Sequence, residues 1–135
     1  MHEATSRRRS IDELLRDARA RLDRLSPGQA RAATCEGGLI VDIRSEVQRS
    51  DQGLVPGALF VPRNVLEWRA DPRCPHHDPR LGAVSGPLVL MCAQGFQSSL
   101  TAATLQDLGL RRATDMVGGF EAWAAEGLPV VAQTS

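Results

Sequence analysis

Short apolar runs alternate with segments of helical periodicity along this chain of 135 residues. Each run is too short for a buried helix and therefore predicts a buried strand. The predicted strands lie at 39–44, 58–61, 88–91 and 114–117, and an alternating segment at 22–25 predicts a short edge strand. Strands that alternate with helices are typical of a parallel sheet covered by helices on both faces, which places the chain in the α/β class.

Serine residues mark two of the predicted helix starts. Ser10 stands three residues before Glu13, as in a capping box, and opens an amphipathic helix over about 10–21. Ser26 precedes Pro27, a favoured pair for the N-cap and the first helical position. The helix that begins there and the remaining predicted helices run over about 27–34, 45–50, 64–70, 98–108 and 120–126.

The proline-rich segment 71–87 has no periodicity and predicts a long surface loop. It contains Cys74, His76, His77 and Asp78, all of which are residue types that bind metals. Adjacent histidines point apart, and no second ligand pair lies at a usual spacing along the chain. The sequence therefore predicts no metal site and no cofactor.

Charge and cysteine content narrow the classes of function. The 16 basic residues balance the 16 acidic ones, so charge gives no reason to expect a nucleic acid or a membrane as partner. Three widely spaced cysteines do not suggest a disulfide framework and favour a reduced compartment. The basic start of the chain leads into a charged amphipathic segment and does not resemble a signal peptide. We expect a soluble, cytoplasmic protein.

Cys92 follows the buried strand at 88–91 and precedes the helix predicted at 98–108. This order places a thiol at a helix N-terminus, where free backbone N–H groups and the helix dipole stabilise a negative sulfur. Gly95 allows the loop between them to turn tightly, so that backbone N–H groups can form an anion-binding nest. The loop residues that would form this nest are Ala93, Gln94, Gly95, Phe96, Gln97 and Ser98.

Two reaction classes use a cysteine held in such a loop. Phosphate-ester cleavage needs an arginine six residues after the cysteine, and that position is Ser98. In sulfur transfer, the thiolate takes sulfur from a donor, holds it as a persulfide and passes it to an acceptor. The backbone nest alone can hold a persulfide anion, so the sequence favours sulfur transfer. An inert cysteine at a strand end remains the alternative.

Four segments together resemble the single-domain rhodanese family of sulfurtransferases. They match the family patterns L-I-D-V-R, G-H-I-P-G-A, C-x-x-G-x-R-S and G-G-x-x-x-W…G-x-P-V, in order, at 39–44, 53–58, 92–98 and 117–130. Leu54 stands where the family often has histidine, and Gln97 stands where it has arginine. The resemblance implies a rhodanese-like domain at 22–131, with a five-stranded, mainly parallel sheet. Residues 1–21 would then be an extension made of a basic tail and an extra helix.

The resemblance also implies that Cys92 carries sulfur from thiosulfate or another persulfide to cyanide, a thiol or a sulfur-accepting protein. The loop has no basic side chain, so an anionic donor needs arginines from elsewhere. Candidates for that role are Arg49, Arg63 and Arg69, whereas Asp42 and Arg44 are expected to be structural. The uncharged loop keeps a second hypothesis open, which is a binding or regulatory module with little or no activity.

Overall fold

The computed structural model describes residues 8–133. Within them, four short parallel strands form one sheet in the order β2-β1-β3-β4. The strands are β1 (Leu39–Asp42), β2 (Leu59–Phe60), β3 (Leu88–Met91) and β4 (Ala113–Asp115). Asp42 pairs with Met91 at the carboxyl ends of the two central strands, so the residues that follow these strands emerge side by side.

Helices occupy most of the connections between the strands. Capping boxes at Ser10, Ser26 and Ser45 begin the first three helices, because each serine hydroxyl accepts a backbone N–H three residues later. The helices are α1 (Ile11–Ala20), α2 (Pro27–Thr34), α3 (Glu46–Gln52), α4 (Leu66–Ala70), α5 (Pro79–Gly82), α6 (Gln97–Asp107) and α7 (Gly119–Ala125), with a 3₁₀ turn at Arg63–Val65. None of these helices is both long and apolar enough to cross a bilayer.

The core lies on both faces of the sheet, because alternate strand residues point to opposite faces. One face buries Val41, Leu88, Leu90 and Leu105. The other buries Ile40, Val89, Met91 and Trp123. Helix α6 packs on the first face and carries α1 on its outer side, while α2 and α7 pack together at the second face. Helix α1 is thereby placed next to the start of α6.

The prediction of five strands is wrong for the described residues. The segment 22–25 forms a single parallel bridge, in which Leu25 N–H donates to Asp115 O at 3.0 Å and the Leu25 carbonyl accepts Val117 N–H at 2.8 Å. Ser26 caps α2 immediately afterwards, so the chain turns into a helix before it can continue along β4. A helix-start signal next to the alternating pattern limits the strand to one residue.

The segment 71–87 was predicted to be a surface loop without regular structure, and this prediction is wrong in part. It contains the one-turn helix α5, whose N-cap Asp78 accepts the backbone N–H of Arg80 at 2.9 Å. Leu81 is buried and fixes this turn to the core. The pair Asp78-Pro79 is the same kind of helix-start signal as Ser26-Pro27, but four helical residues are too few to show periodicity.

Candidate active site

Cys92 lies directly after β3 and five residues before α6 begins. Its side chain is buried, with 2% of the residue surface exposed. The sulfur accepts the backbone N–H of Gly95 at 3.1 Å. The loop therefore folds back on the thiol and offers a backbone donor to it, an arrangement that stabilises a negatively charged sulfur.

Gly95 has φ +84°, a backbone conformation that L side chains rarely adopt. A Cβ at this position would also lie 2.7 Å from Gly118 N and 3.1 Å from Met116 O. Both the conformation and the close approach of the neighbouring loop therefore require glycine. The N–H that faces the sulfur depends on this residue.

The N-terminus of α7 packs against the Cys92 loop and donates hydrogen bonds to it. Its backbone N–H groups at Phe120 and Glu121 donate to the carbonyls of Cys92 and Ala93 at 2.8 and 3.0 Å. Gly119 makes this approach possible, since an added Cβ would collide with the Cys92 carbonyl and lie 2.8 Å from Gly95 N. Gly119, the first residue of α7, thus has a physical role in holding the cysteine loop.

Ser98 does not lie at the rim of the loop. Its hydroxyl is buried and donates to Asp115 Oδ2 at 2.7 Å, and the hydroxyl of Ser99 donates to the same oxygen at 2.7 Å. Asp115 is itself fully buried and forms an ion pair with Arg24 at 2.8 Å. The two serines therefore fix the first turn of α6 to the end of β4.

The outer rim of the loop is largely apolar or amide in character. Phe96 is 57% exposed, and Ala93 is half-buried. Gln94 donates to Glu121 at 3.2 Å. Gln97, the first residue of α6, lines a cavity of about 700 Å³ at the carboxyl ends of β1 and β2. That volume lies within the usual range for small-molecule sites.

Asp42 and Arg44 form a buried ion pair at the end of β1. The carboxylate accepts Arg44 Nε at 3.0 Å and Nη2 at 2.8 Å, and the guanidinium also donates to Gly53 O at 2.8 Å and stacks on Phe120 at 4.0 Å. Arg49 joins the same carboxylate at 3.1 Å. This network connects β1 to the segment that leads into β2 and to the start of α7.

The three candidate arginines lie in different environments. The guanidinium of Arg49 is committed to Asp42 and to the ring of Phe60 at 3.8 Å. Arg69 donates to His76 O at 2.9 Å in the 71–87 segment. Arg63 lines the cavity, and its buried Nε has no hydrogen-bond partner among the described residues. Of the three, Arg63 alone lines this cavity.

A family model for the rhodanese-like domain matches residues 26–126. This chain belongs to the rhodanese-like domain family. A sulfurtransferase from Allochromatium vinosum is 33% identical to this rhodanese domain protein over 102 residues, which are 76% of this chain and 86% of that protein. A thiosulfate sulfurtransferase GlpE from Ectopseudomonas mendocina is 31% identical, over 76% of this chain and 84% of that protein.

A solved structure from Rhodopseudomonas palustris is also similar to this rhodanese-family chain. It is 34% identical, with a TM-score of 0.83 over 90% of this chain and 94% of that one, and is described as a protein of unknown function and possible tyrosine phosphatase. The rhodanese-family membership expected from the four sequence segments is thus confirmed, and sulfurtransferases are among the relatives.

Two arginines that touch the cysteine loop precede the segment matched by the rhodanese model. Arg19 Nη2 and Arg24 Nη2 donate to the Gly95 carbonyl at 2.8 and 3.0 Å. Neither arginine is predicted from the sequence as a site residue. The packing of α1 on α6 brings Arg19 to the loop. Arg24 reaches it from the residue before Leu25, which pairs with Met116 just after β4. Among the described residues, no cluster of three or more side chains is suited to hold a metal ion.

Proposed function

We propose that this chain is a sulfurtransferase in which the Cys92 thiolate takes up a sulfane sulfur atom and carries it as a persulfide. The observation that carries the proposal is the Gly95 N–H, 3.1 Å from the sulfur, in a loop between a buried strand and the N-terminus of α6. The sulfurtransferase relatives support the same chemistry.

In the first step, the Cys92 thiolate attacks the outer sulfur of thiosulfate. The sulfur–sulfur bond of the donor breaks, sulfite leaves with the bonding electron pair, and Cys92 becomes a persulfide anion. In the second step, cyanide or a thiolate attacks the terminal sulfur, and the Cys92 thiolate is regenerated. Neither step changes the number of protons bound. The loop's contribution is to stabilise negative charge on sulfur in both states.

The cavity beside the loop is the proposed donor site. It contacts the loop at Gln97, and Arg63 brings to its wall a positive charge that is paired only loosely, with Glu67 at 3.6 Å. An anionic donor or the departing sulfite can pair with that charge. We therefore assign donor binding to Arg63 in preference to Arg49, which is already paired, or Arg69, which donates to the 71–87 segment.

Phosphoryl transfer is the competing activity suggested by the description of the Rhodopseudomonas relative. A cysteine phosphatase needs a guanidinium at the end of the loop to hold the phosphate oxygens. In this chain that position is Ser98, whose hydroxyl is bound to Asp115 inside the protein. The loop geometry therefore favours sulfur transfer over phosphate-ester cleavage.

A binding or regulatory module is the second candidate, and the near-complete burial of Cys92 beside an uncharged rim favours it. The rate of iodoacetamide labelling at Cys92 separates the two. A sulfurtransferase requires labelling at least as fast as that of free cysteine at neutral pH. Slow labelling of the folded protein, restored only in denaturant, supports the binding module.

The direct test is intact-protein mass spectrometry after incubation with thiosulfate. We expect a gain of one sulfur atom that reductant removes and that cyanide discharges as thiocyanate. Cys92→Ser abolishes the gain, whereas Cys35→Ser and Cys74→Ser retain it, because those cysteines lie outside the loop. An unmodified wild-type protein after treatment with thiosulfate and with a persulfide donor rejects the proposal. Turnover of an aryl phosphate that depends on Cys92 would instead support the phosphatase.

A further inference from the structure

Both polar backbone groups of Gly95 are committed to specific partners. Its N–H faces the sulfur of Cys92 at 3.1 Å. Its carbonyl accepts guanidinium N–H groups from Arg19 at 2.8 Å and Arg24 at 3.0 Å. Two positively charged side chains thus contact the same residue whose N–H faces the thiol, although the loop itself has no basic residue.

The two guanidiniums differ in how their charge is balanced. Arg24 forms a two-point ion pair with Asp115, at 2.8 and 3.1 Å. Arg19 forms no ion pair within residues 8–133 and donates to neutral acceptors, the Gly95 carbonyl and Ser99 Oγ at 3.1 Å. Two cations and one carboxylate leave one net positive charge beside the loop, and that charge belongs to Arg19.

The position of Arg19 keeps this charge partly shielded from water. Its guanidinium lies over the Phe96 ring, 5.5 Å from the ring centre, and the residue is only partly exposed. Burial lowers the pKa of Arg19 from its usual value, and the charge of Arg24 acts in the same direction, while Asp115 and Cys92 oppose the shift. Gly95 connects the two groups, since its carbonyl accepts from Arg19 and its N–H faces the Cys92 sulfur.

Among residues 8–133, one further charged side chain contacts the loop, and it is that of Glu121. Glu121 accepts from Gln94 at 3.2 Å, and both side chains are exposed, so water and salt screen the carboxylate. The less screened charge next to the cysteine loop is therefore positive. It comes from α1, which precedes the segment matched by the family model.

We propose that Arg19 is a positioning residue that supplies the positive potential missing from the cysteine loop and gives the site a preference for anionic sulfur donors over neutral ones. This inference rests on the proposed sulfur transfer and specifies its substrate class. Helix α1 then becomes part of the active site. Donors of the preferred class carry a negative charge next to the sulfane sulfur, as thiosulfate does, whereas dialkyl polysulfides do not.

The test compares two alkylating reagents of similar size and different charge on the full chain with Cys35→Ser and Cys74→Ser, which leaves Cys92 as the only thiol. The quantity measured is the ratio of the labelling rates with iodoacetate and iodoacetamide. Arg19→Gln is expected to lower this ratio about three-fold, as for one partly screened unit charge within a Debye length of ~8 Å. Arg19→Lys keeps the charge and is expected to retain most of the ratio.

Arg21→Gln is the matched control, because it removes one positive charge from the C-cap of the same helix. Arg21 pairs with Asp107 at 2.6 Å on the exposed surface, so its loss is expected to leave the ratio unchanged. About 1 M salt is expected to remove most of the difference between wild type and Arg19→Gln. Altered folding changes both labelling rates together and leaves the ratio as a measure of charge.

Three results overturn the inference: an unchanged ratio in Arg19→Gln, an equal loss in Arg19→Lys, or an equal loss in Arg21→Gln. None of these measurements requires sulfur transfer. A failure here with a normal persulfide on Cys92 rejects the role of Arg19 alone. Absence of the persulfide rejects the proposed function, whatever the ratio.

Discussion

We expect Asp42→Asn to destabilise this protein more than almost any other substitution that replaces a single charged side chain with an uncharged one. The Asp42 carboxylate is 2% exposed and holds two guanidiniums. It accepts Arg44 Nε and Nη2 at 3.0 and 2.8 Å and Arg49 Nε at 3.1 Å. Arg44 is fully buried, so water cannot replace the carboxylate as its partner.

The magnitude follows from what the substitution leaves behind. Asparagine has nearly the same shape as aspartate but no charge, and one of its two terminal groups donates where the guanidiniums need an acceptor. Removing one partner of a buried pair costs about 3–5 kcal/mol, because the other charge stays desolvated. Set against a total unfolding free energy of roughly 5–15 kcal/mol, this is a large fraction.

The assay is equilibrium unfolding in urea. For a slope of about 2 kcal/mol per M, a loss of ~4 kcal/mol lowers the midpoint by about 2 M, with the slope unchanged. Asp107→Asn is the matched control, since Asp107 pairs with Arg21 on the surface with 67% of its side chain exposed. Its loss is expected to cost no more than about 0.5 kcal/mol.

The comparison between the two substitutions decides whether the physical account is correct. If Asp42→Asn costs less than about 1 kcal/mol, the network is solvated or its arginines find other acceptors, and the account of a buried ion pair is refuted. An effect of equal size in Asp107→Asn refutes it as well, because burial is the main difference between the two pairs.

Two further predictions concern the loop and the cavity. Gly119→Ala is expected to abolish persulfide formation on Cys92, because the added Cβ collides with the loop backbone. Gly82→Ala serves as the control, since a Cβ at that position has open space around it. Both variants are measured by mass spectrometry after thiosulfate treatment. Arg63→Gln is expected to raise the KM for thiosulfate several-fold with little change in the urea midpoint, since its only ion pair within the described part of the chain is a loose, partly exposed contact with Glu67 at 3.6 Å. An unchanged KM contradicts the assignment of Arg63 to donor binding.

Much of the local structure could be predicted from the sequence. The apolar run before Cys92 forms β3, and the pair Ser26-Pro27 starts α2 with a complete capping box. These features depend on residues close together in the chain, so periodicity and capping signals identify them. The four family segments likewise predicted the rhodanese family, which the comparison with known proteins confirmed.

Strand pairing was harder to predict from the sequence than local structure, as the segment 22–25 shows. Its alternating pattern is compatible with a strand, but a strand also needs a partner along its whole length. In the tertiary structure Leu25 alone meets Met116 before α2 begins. Sequence pattern gives the preference of a segment, and the neighbouring elements decide how much of it is realised.

The cysteine loop itself was determined by the sequence, since a buried strand, Cys92, Gly95 and a helix start follow one another within a few residues. The electrostatic surroundings of that loop were decided only by the tertiary structure. Arg19 and Arg24 lie 76 and 71 residues before the carbonyl that they contact, and no local pattern specifies such a contact. The packing of α1 on α6 brings a charge from outside the loop to a site whose own side chains carry none.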